Sequence, residues 1–244
     1  MRIRQSQGIR QVNMTEYILA IDQGTTGTTA LLVGHDLRIH GRQTIDFPQH
    51  FPKPGWVEHD PEEIWASSRK AILYLLEKTG IGTNQIQAIG ITNQRETTLL
   101  WERNDGHPIS NAIVWQCRRS AEICQNLKKQ GLEETYRRHT GLVLDPYFSG
   151  TKLTWMLENL HGSATRAKSG RLAFGTIDSF LVWRLTGGKS HVTDVSNASR
   201  TLMMDLEKLD WDDALLKPLK VPRTLLPEIV PSSRVYGKTS GLDF

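Results

Sequence analysis

The 244-residue sequence predicts an α/β domain with a mixed β-sheet and flanking helices. Two patterns carry this reading. Short apolar or alternating runs of strand length are interleaved with segments of helical period, and clusters of glycine, proline and asparagine separate them. Composition agrees, since 38% hydrophobic and 23% charged residues are ordinary for a globular chain of a length that buries a full core.

The elements follow in order. Residues 17–33, YILAIDQGTTGTTALLV, read as strand, glycine-rich turn and strand, ending near Gly34, and residues 37–47 continue the strand pattern. The loop QHFPKPGWVEHD breaks the chain at Pro52, Pro54 and Gly55. Asp60-Pro61-Glu62-Glu63 then starts a helix: an acid to cap it, proline at the first helical position, and Glu63 three residues after the cap. Ile64, Ala71, Ile72, Leu75 and Leu76 form its apolar stripe, and Gly80 stops it. Residues 86–91 predict a short buried strand leading into Thr92-Asn93-Gln94-Arg95-Glu96. A strand resumes at Thr97, and residues 112–115 give another. Helical segments are expected near 120–130, 132–139, 151–160 and 177–185. No fixed-period repeat or low-complexity tract occurs.

Charge and cysteine content exclude several classes. No apolar stretch reaches the 18 or more residues of a membrane span. The formal net charge is +4, but Arg2, Arg4 and Arg10 supply three of those charges within MRIRQSQGIRQVN, which has no acid. Residues 1–13 therefore read as a disordered basic leader ahead of a second start at Met14. They lack the apolar core of a secretory signal. With the remainder nearly neutral, a nucleic-acid partner is not expected. Cys117 and Cys124, seven apart on one expected helix, match no zinc spacing and read as reduced thiols of a cytoplasmic protein.

The turn after residue 21 has the chemistry of a phosphate cradle. Gly24 and Gly27 tolerate positive φ, which lets backbone N–H groups converge on an anion. Thr25, Thr26, Thr28 and Thr29 add hydroxyls, and Asp22 offers a carboxylate suited to Mg²⁺. The competing reading is a tight hairpin whose aspartate satisfies its own turn. Neither Gly-x-x-x-x-Gly-Lys nor Gly-x-Gly-x-x-Gly is present at this turn.

IDQGTT resembles the first phosphate loop of the actin, Hsp70 and hexokinase superfamily. GWVEHDPEEIW, GITNQRETT and YFSGTKLTWMLEN resemble the FGGY carbohydrate kinases, and NQRET, NAIVWQCRR and DPYFSGTK are similar to the branch of that family that phosphorylates glycerol. The resemblance runs from about residue 17 to 237. It implies an RNase H-like (actin/hexokinase-type ATPase) domain, the first of two such domains, spanning residues 14–244 with the chain ending before the second. It also implies ATP and Mg²⁺ as cofactors and transfer of the γ-phosphoryl of ATP to glycerol, giving sn-glycerol 3-phosphate.

On the same basis Asp22 would position Mg²⁺, and Gly24, Thr25, Thr26 and Gly27 would hold the nucleotide phosphates. Arg95, Glu96, Trp115 and Tyr147 would bind glycerol: a fork of N–H donors beside an acceptor brackets a vicinal diol, and two rings meet its C–H edge. From the residues alone, Arg95-Glu96 reads rather as a surface ion pair in a hairpin turn, and the two rings as ordinary core packing. Arg118 and Arg119 are expected to pair locally, and TDVSNASRT, residues 193–200 with Thr201, to be a self-bonded structural turn. The pattern departs from the family at Gly27-Thr28-Thr29, where Ser-Ser-Arg or Ser-Thr-Arg is frequent, so an ionic phosphate contact is missing.

The acid that orients the acceptor hydroxyl lies, in this family, in a Gly-Asp-Gln motif that the sequence does not contain. The chain is therefore expected to be inactive alone, with no catalytic residue of its own and an apolar interface left uncovered. The complete protein is expected to be a homo-oligomer with no membrane partner. The alternatives are a kinase half for another polyol or ketose and a non-catalytic binding or regulatory fragment.

Overall fold

The computed structural model describes residues 16–242; the leader, the start at Met14 and the final Asp243-Phe244 lie outside these residues. Strands β1 (Tyr17–Gln23), β2 (Gly27–Gly34) and β3 (Ile39–Asp46) form an antiparallel meander. After the two-residue β4 (Glu58–His59), helix α1 (Pro61–Thr79) crosses over to β5 (Ile86–Asn93), which pairs with β1 in parallel. The resulting sheet has the order β3-β2-β1-β5 and is mixed, as the sequence predicts.

Strand β6 (Leu99–Glu102), β7 (Ala112–Ile113) and helices α2 (Ala121–Lys129), α3 (Glu133–Thr140), α4 (Ser149–Asn159) and α5 (Ser163–Lys168) follow. Strand β8 (Leu172–Gly175) returns antiparallel to β6, and α6 (Ile177–Leu185) leads to β9 (Val192–Asp194) and the single turn α7 (Val195–Ala198). The chain continues through the small hairpin β10 (Met204–Asp205) and β11 (Asp210–Trp211), then α8 (Asp213–Leu216) and β12 (Glu228–Val230), parallel to β9.

Helix α1 starts and stops for the predicted reasons. Asp60 accepts the N–H of Glu62 at 2.8 Å, Pro61 opens the first turn, and Gly80 closes the helix at φ 67°, donating to the Leu76 carbonyl. Glu63 behaves differently: it meets His50 Nε2 at 3.0 Å and braces the preceding loop. Ile64, Ala71, Ile72 and Leu75 are fully buried, with Leu76 half-buried. Ala71, Ile72, Leu75 and Leu76 pack with Leu19, Ile21, Ala30 and Leu32 of the sheet and Leu185 of α6, while Ile64 packs with Leu99 and Trp101 of β6 and Phe180 of α6 in a second cluster. Tyr136, Leu153, Met156 and Trp211 belong to the larger core beneath α2–α4.

Three expectations are corrected. Residues 86–91 are not a buried strand, because β5 is a sheet edge whose second face no described element covers: Ala88 and Gly90 are exposed, and neighbouring Ile18 is 42% exposed. The strand at 112–115 ends at Ile113, so Trp115 lies in the following turn. Cys117 precedes α2 rather than sharing a helix with Cys124, although both are buried free thiols.

Candidate nucleotide-phosphate and polyol site

Parallel strands β1 and β5 end side by side, which brings the two predicted motifs to one end of the sheet. The Gly24 N–H closes the first turn on the Gly27 carbonyl at 2.9 Å. Neither glycine adopts positive φ, contrary to the expectation from the sequence. Close backbone approach favours them instead: a Cβ on Gly27 would lie 3.0 Å from the Ile45 carbonyl, and one on Gly24 would lie 3.2 Å from the Gly27 carbonyl.

The four threonines separate. Thr28 is buried and bonds Ser67 Oγ of α1 at 2.8 Å, so it faces the core and not a ligand. Thr29 Oγ1 meets Thr44 Oγ1 at 2.9 Å on the other face. Thr26 is exposed and Thr25 half-buried, and among the described residues their N–H groups have no partner. Those two N–H groups are left free for an acceptor, whereas the Gly24 N–H is committed to the Gly27 carbonyl.

Strand alternation sends Leu19, Ile21 and Gln23 inward and leaves Asp22 exposed, with no ion pair or hydrogen bond to its carboxylate among the described residues. Asp22 is in register with Thr29 on β2 and Thr92 on β5, so all three project from one face. One carboxylate flanked by two hydroxyls suits a hard, hydrated divalent cation, so these residues fit Mg²⁺.

Gln94, which sequence reasoning passed over, joins the two motifs. Its N–H donates to the Gln23 carbonyl at 2.6 Å. Its amide NH₂ is shared among Gln23 Oε1 (3.2 Å), the Gly24 carbonyl (3.1 Å) and His59 Nδ1 (3.2 Å), while its Oε1 accepts from Thr97 at 2.9 Å. His59 is fully buried, and burial pulls its pKa down to about 4, which keeps Nδ1 a neutral acceptor. A buried amide inside a polar motif was the available signal.

Arg95 and Glu96 point in different directions. Glu96 has φ 65°, a left-handed conformation rare outside glycine, and this swings its side chain inward to 5% exposure. Thr98 and Ser149 hydroxyls each donate to the Glu96 carbonyl at 3.0 Å and pin the turn. Arg95 stays exposed, without an ion pair among the described residues, so the reading of Arg95-Glu96 as an ion pair with each other does not hold. The partner of Glu96 is Arg200, whose Nε donates to Oε1 at 2.6 Å.

The TDVSNASRT segment is thus only partly the self-bonded turn expected. Asp194 does accept the Asn197 N–H at 2.8 Å, but Asn197 also accepts from Asn93 at 3.0 Å and Arg200 holds Glu96. A concavity of about 300 Å³ opens here, lined by Thr92, Asn93, Arg95, Asp194, Ser196 and Ser232 among others.

The aromatic pair lies against the first turn and does not line that concavity. Trp115 Nε1 donates to Thr25 Oγ1 at 3.1 Å, and the rings of Trp115 and Tyr147 lie 5.5 Å apart. Behind them Lys152, buried in the first turns of α4, donates to the Tyr147 and Phe148 carbonyls. Desolvation pulls its pKa down to about 7 against the opposing pull of Glu96. Arg118 and Arg119 do not pair locally as expected: their partners, Asp145 at 2.9 Å and Glu58 at 2.7 Å, come from distant segments, and Arg119 also stacks on Trp56. His139, Asp205 and Asp212 cluster elsewhere, but Lys208 and backbone N–H groups already occupy both carboxylates.

Residues 17–241 match the family model described as the FGGY family of carbohydrate kinases, N-terminal domain. The chain is 56% identical over 229 residues to a glycerol kinase of Escherichia fergusonii, covering 93% of this chain and 46% of that protein. Among solved structures it is similar to Plasmodium falciparum glycerol kinase with ADP (TM-score 0.85, 33% identity, 93% of this chain and 45% of that one). A gluconate kinase from Lactobacillus acidophilus superposes with TM-score 0.83 at 27% identity, over 93% of this chain and 44% of that one. The chain spans about half the length of the curated relatives it matches. No helix among the described residues is long and apolar enough to cross a membrane. With its actin/hexokinase-like mixed sheet, its two motifs at one sheet end and a family match over nearly its whole length, the chain belongs to the FGGY family of carbohydrate kinases, of which it carries the N-terminal domain.

Proposed function

We propose that this chain is the polyol-binding half of a cytoplasmic, ATP-dependent glycerol kinase that makes sn-glycerol 3-phosphate. The observation that supports this most directly is the Trp115–Thr25 hydrogen bond, which couples the proposed glycerol pocket to the proposed phosphate cradle in a sequence 56% identical to a glycerol kinase. In this reading Arg95 donates to the glycerol hydroxyls, Glu96, fixed by Arg200, accepts from them, and Trp115 and Tyr147 border the carbon chain. Thr25 and Thr26, with the turn of Gly24 and Gly27, hold the nucleotide phosphates. Mg²⁺, held by Asp22 through its waters, would neutralise charge on those phosphates.

Phosphoryl transfer depends on positioning and electrostatic stabilisation, including a group that orients the acceptor hydroxyl. The Gly-Asp-Gln motif proposed for that role is absent from this sequence. In this reading residues 14–244 act as one of two domains, and the complete enzyme supplies that group. Homo-oligomer formation belongs to the complete enzyme.

A chimera joining this chain to the remaining half of the Escherichia fergusonii relative tests the proposal by coupled assay. Glycerol-dependent ADP formation on the order of 1 to 100 per second supports it. Preference for gluconate or a ketose assigns the site to another FGGY substrate. The second reading, a non-catalytic binding fragment, draws on Thr29, which bonds Thr44 where a cationic phosphate contact is frequent in the family. Glycerol binding by the chimera without turnover favours that reading.

A further inference from the structure

We propose that Arg103, Arg166 and Arg171, with the turn at Asn104-Asp105, form a second anion site that takes a small phosphorylated ligand, distinct from the glycerol and nucleotide pocket. Together with Glu102 these residues line a concavity of about 680 Å³, within the size range of small-molecule sites. It lies at the far end of β6 from Glu96. Six residues of extended chain separate the two, about 20 Å.

The charge arrangement calls for an anion. The Arg103 N–H donates to the Arg171 carbonyl at 2.9 Å, extending the ladder in which Glu102 faces Leu172, so two arginines stand opposite each other across adjacent strands. Like charges so placed repel unless something compensates them. Among the described residues Arg103 meets no carboxylate: its donors go to the Leu172 carbonyl (3.0 Å), His191 Nδ1 (3.1 Å) and the Thr224 carbonyl (2.8 Å). Burial also holds its pKa below the usual guanidinium range, as an uncompensated charge requires.

Glu102 is already taken by Arg166, and Asp105 accepts the His107 N–H at 2.9 Å within its own turn. Arg171 is exposed, and its guanidinium has no hydrogen bond or ion pair among the described residues. Three guanidinium groups thus share two carboxylates, one of them committed. Bidentate donation to phosphate oxygens fills that deficit and relieves the Arg103–Arg171 repulsion. Arg103 is fixed by three bonds, so it contributes field, while Arg171 contributes mobile donors. Asn104 and Asp105 offer polar groups to the remainder of the ligand.

The test is titration of the ¹⁵N-labelled 244-residue chain with inorganic phosphate and then pyrophosphate, at constant ionic strength with a chelator present. Saturable one-to-one amide shifts at residues 102–106 and 166–171, tighter for pyrophosphate, are expected. Arg171→Glu should weaken binding at least about tenfold while shifts elsewhere stay unchanged, since its exposed side chain makes no hydrogen bond or ion pair among the described residues. Shifts that remain linear through about 50 mM phosphate, corresponding to no useful affinity, overturn the proposal. So does saturable binding confined to residues 22–29 and unaltered in Arg171→Glu. Neither result overturns the glycerol kinase reading, which uses none of residues 102–106 and 166–171 and itself expects phosphate at residues 22–29.

Discussion

Arg200→Ala removes the counter-charge of Glu96 and tests whether that carboxylate is held ready for a ligand. Glu96 is 5% exposed and Arg200 is 32% exposed, with Nε 2.6 Å from Oε1. Deleting one partner of a buried pair costs about 3 to 5 kcal/mol. Water reaches the guanidinium side here, so the loss should fall at or below the lower bound, about 2 to 3 kcal/mol. With a urea slope of about 3 kcal/mol per molar, the midpoint falls by roughly 0.7 to 1 M. Some of that loss is packing, because the Arg200 guanidinium also lies 5.0 Å from the Phe148 ring centroid.

Glycerol binding separates packing from orientation. A hydrogen bond to a charged group contributes about 1.5 to 3 kcal/mol, so calorimetry on the chimera should show affinity lower by roughly tenfold to 150-fold. Arg200→Lys keeps the charge without the planar fork, and it should recover more of the stability than of the affinity. If Arg200→Ala unfolds within about 0.2 M urea of the parent and binds glycerol normally, the pair neither holds the fold nor positions Glu96.

Two further outcomes follow from the same site. Arg95→Ala in the chimera should weaken glycerol use by roughly tenfold to several hundredfold, depending on how many charge-assisted bonds are lost, and leave the ATP constant little changed; a normal glycerol constant excludes Arg95 from the pocket. Lys152, pulled from its usual 10.5 to about 7, releases its proton on the folded chain while the unfolded chain still holds it. The unfolded state binds more protons between those values, so unfolding free energy should rise as pH increases from about 7 towards 10. Glu96, Cys117, Cys124 and Asp145 pull the other way, towards the charged form. A urea-midpoint profile with the same slope in Lys152→Met refutes the assignment.

Local chemistry made much of this protein legible in its sequence. Asp60, Pro61 and Gly80 mark the ends of α1 because capping and positive φ are decided within a few residues. Alternation along β1 exposes Asp22 for the same reason, and the motif residues were nameable through family resemblance. Tertiary structure decided what neighbours do. The glycine at 27 is favoured by the close approach of the β3 backbone at Ile45, not by its own dihedral, and Thr28 is lost to the core because Ser67 of α1 lies beneath it.

Likewise Glu96 pairs with a residue 104 positions away and not with adjacent Arg95, and Gln94 gains its role only when parallel pairing sets β5 beside β1. The sequence by itself settled which residue types were present and where local elements begin. Which of them share a site depended on non-local strand pairing and burial, because hydrogen-bond partners and desolvation are set by contacts between segments far apart in the chain.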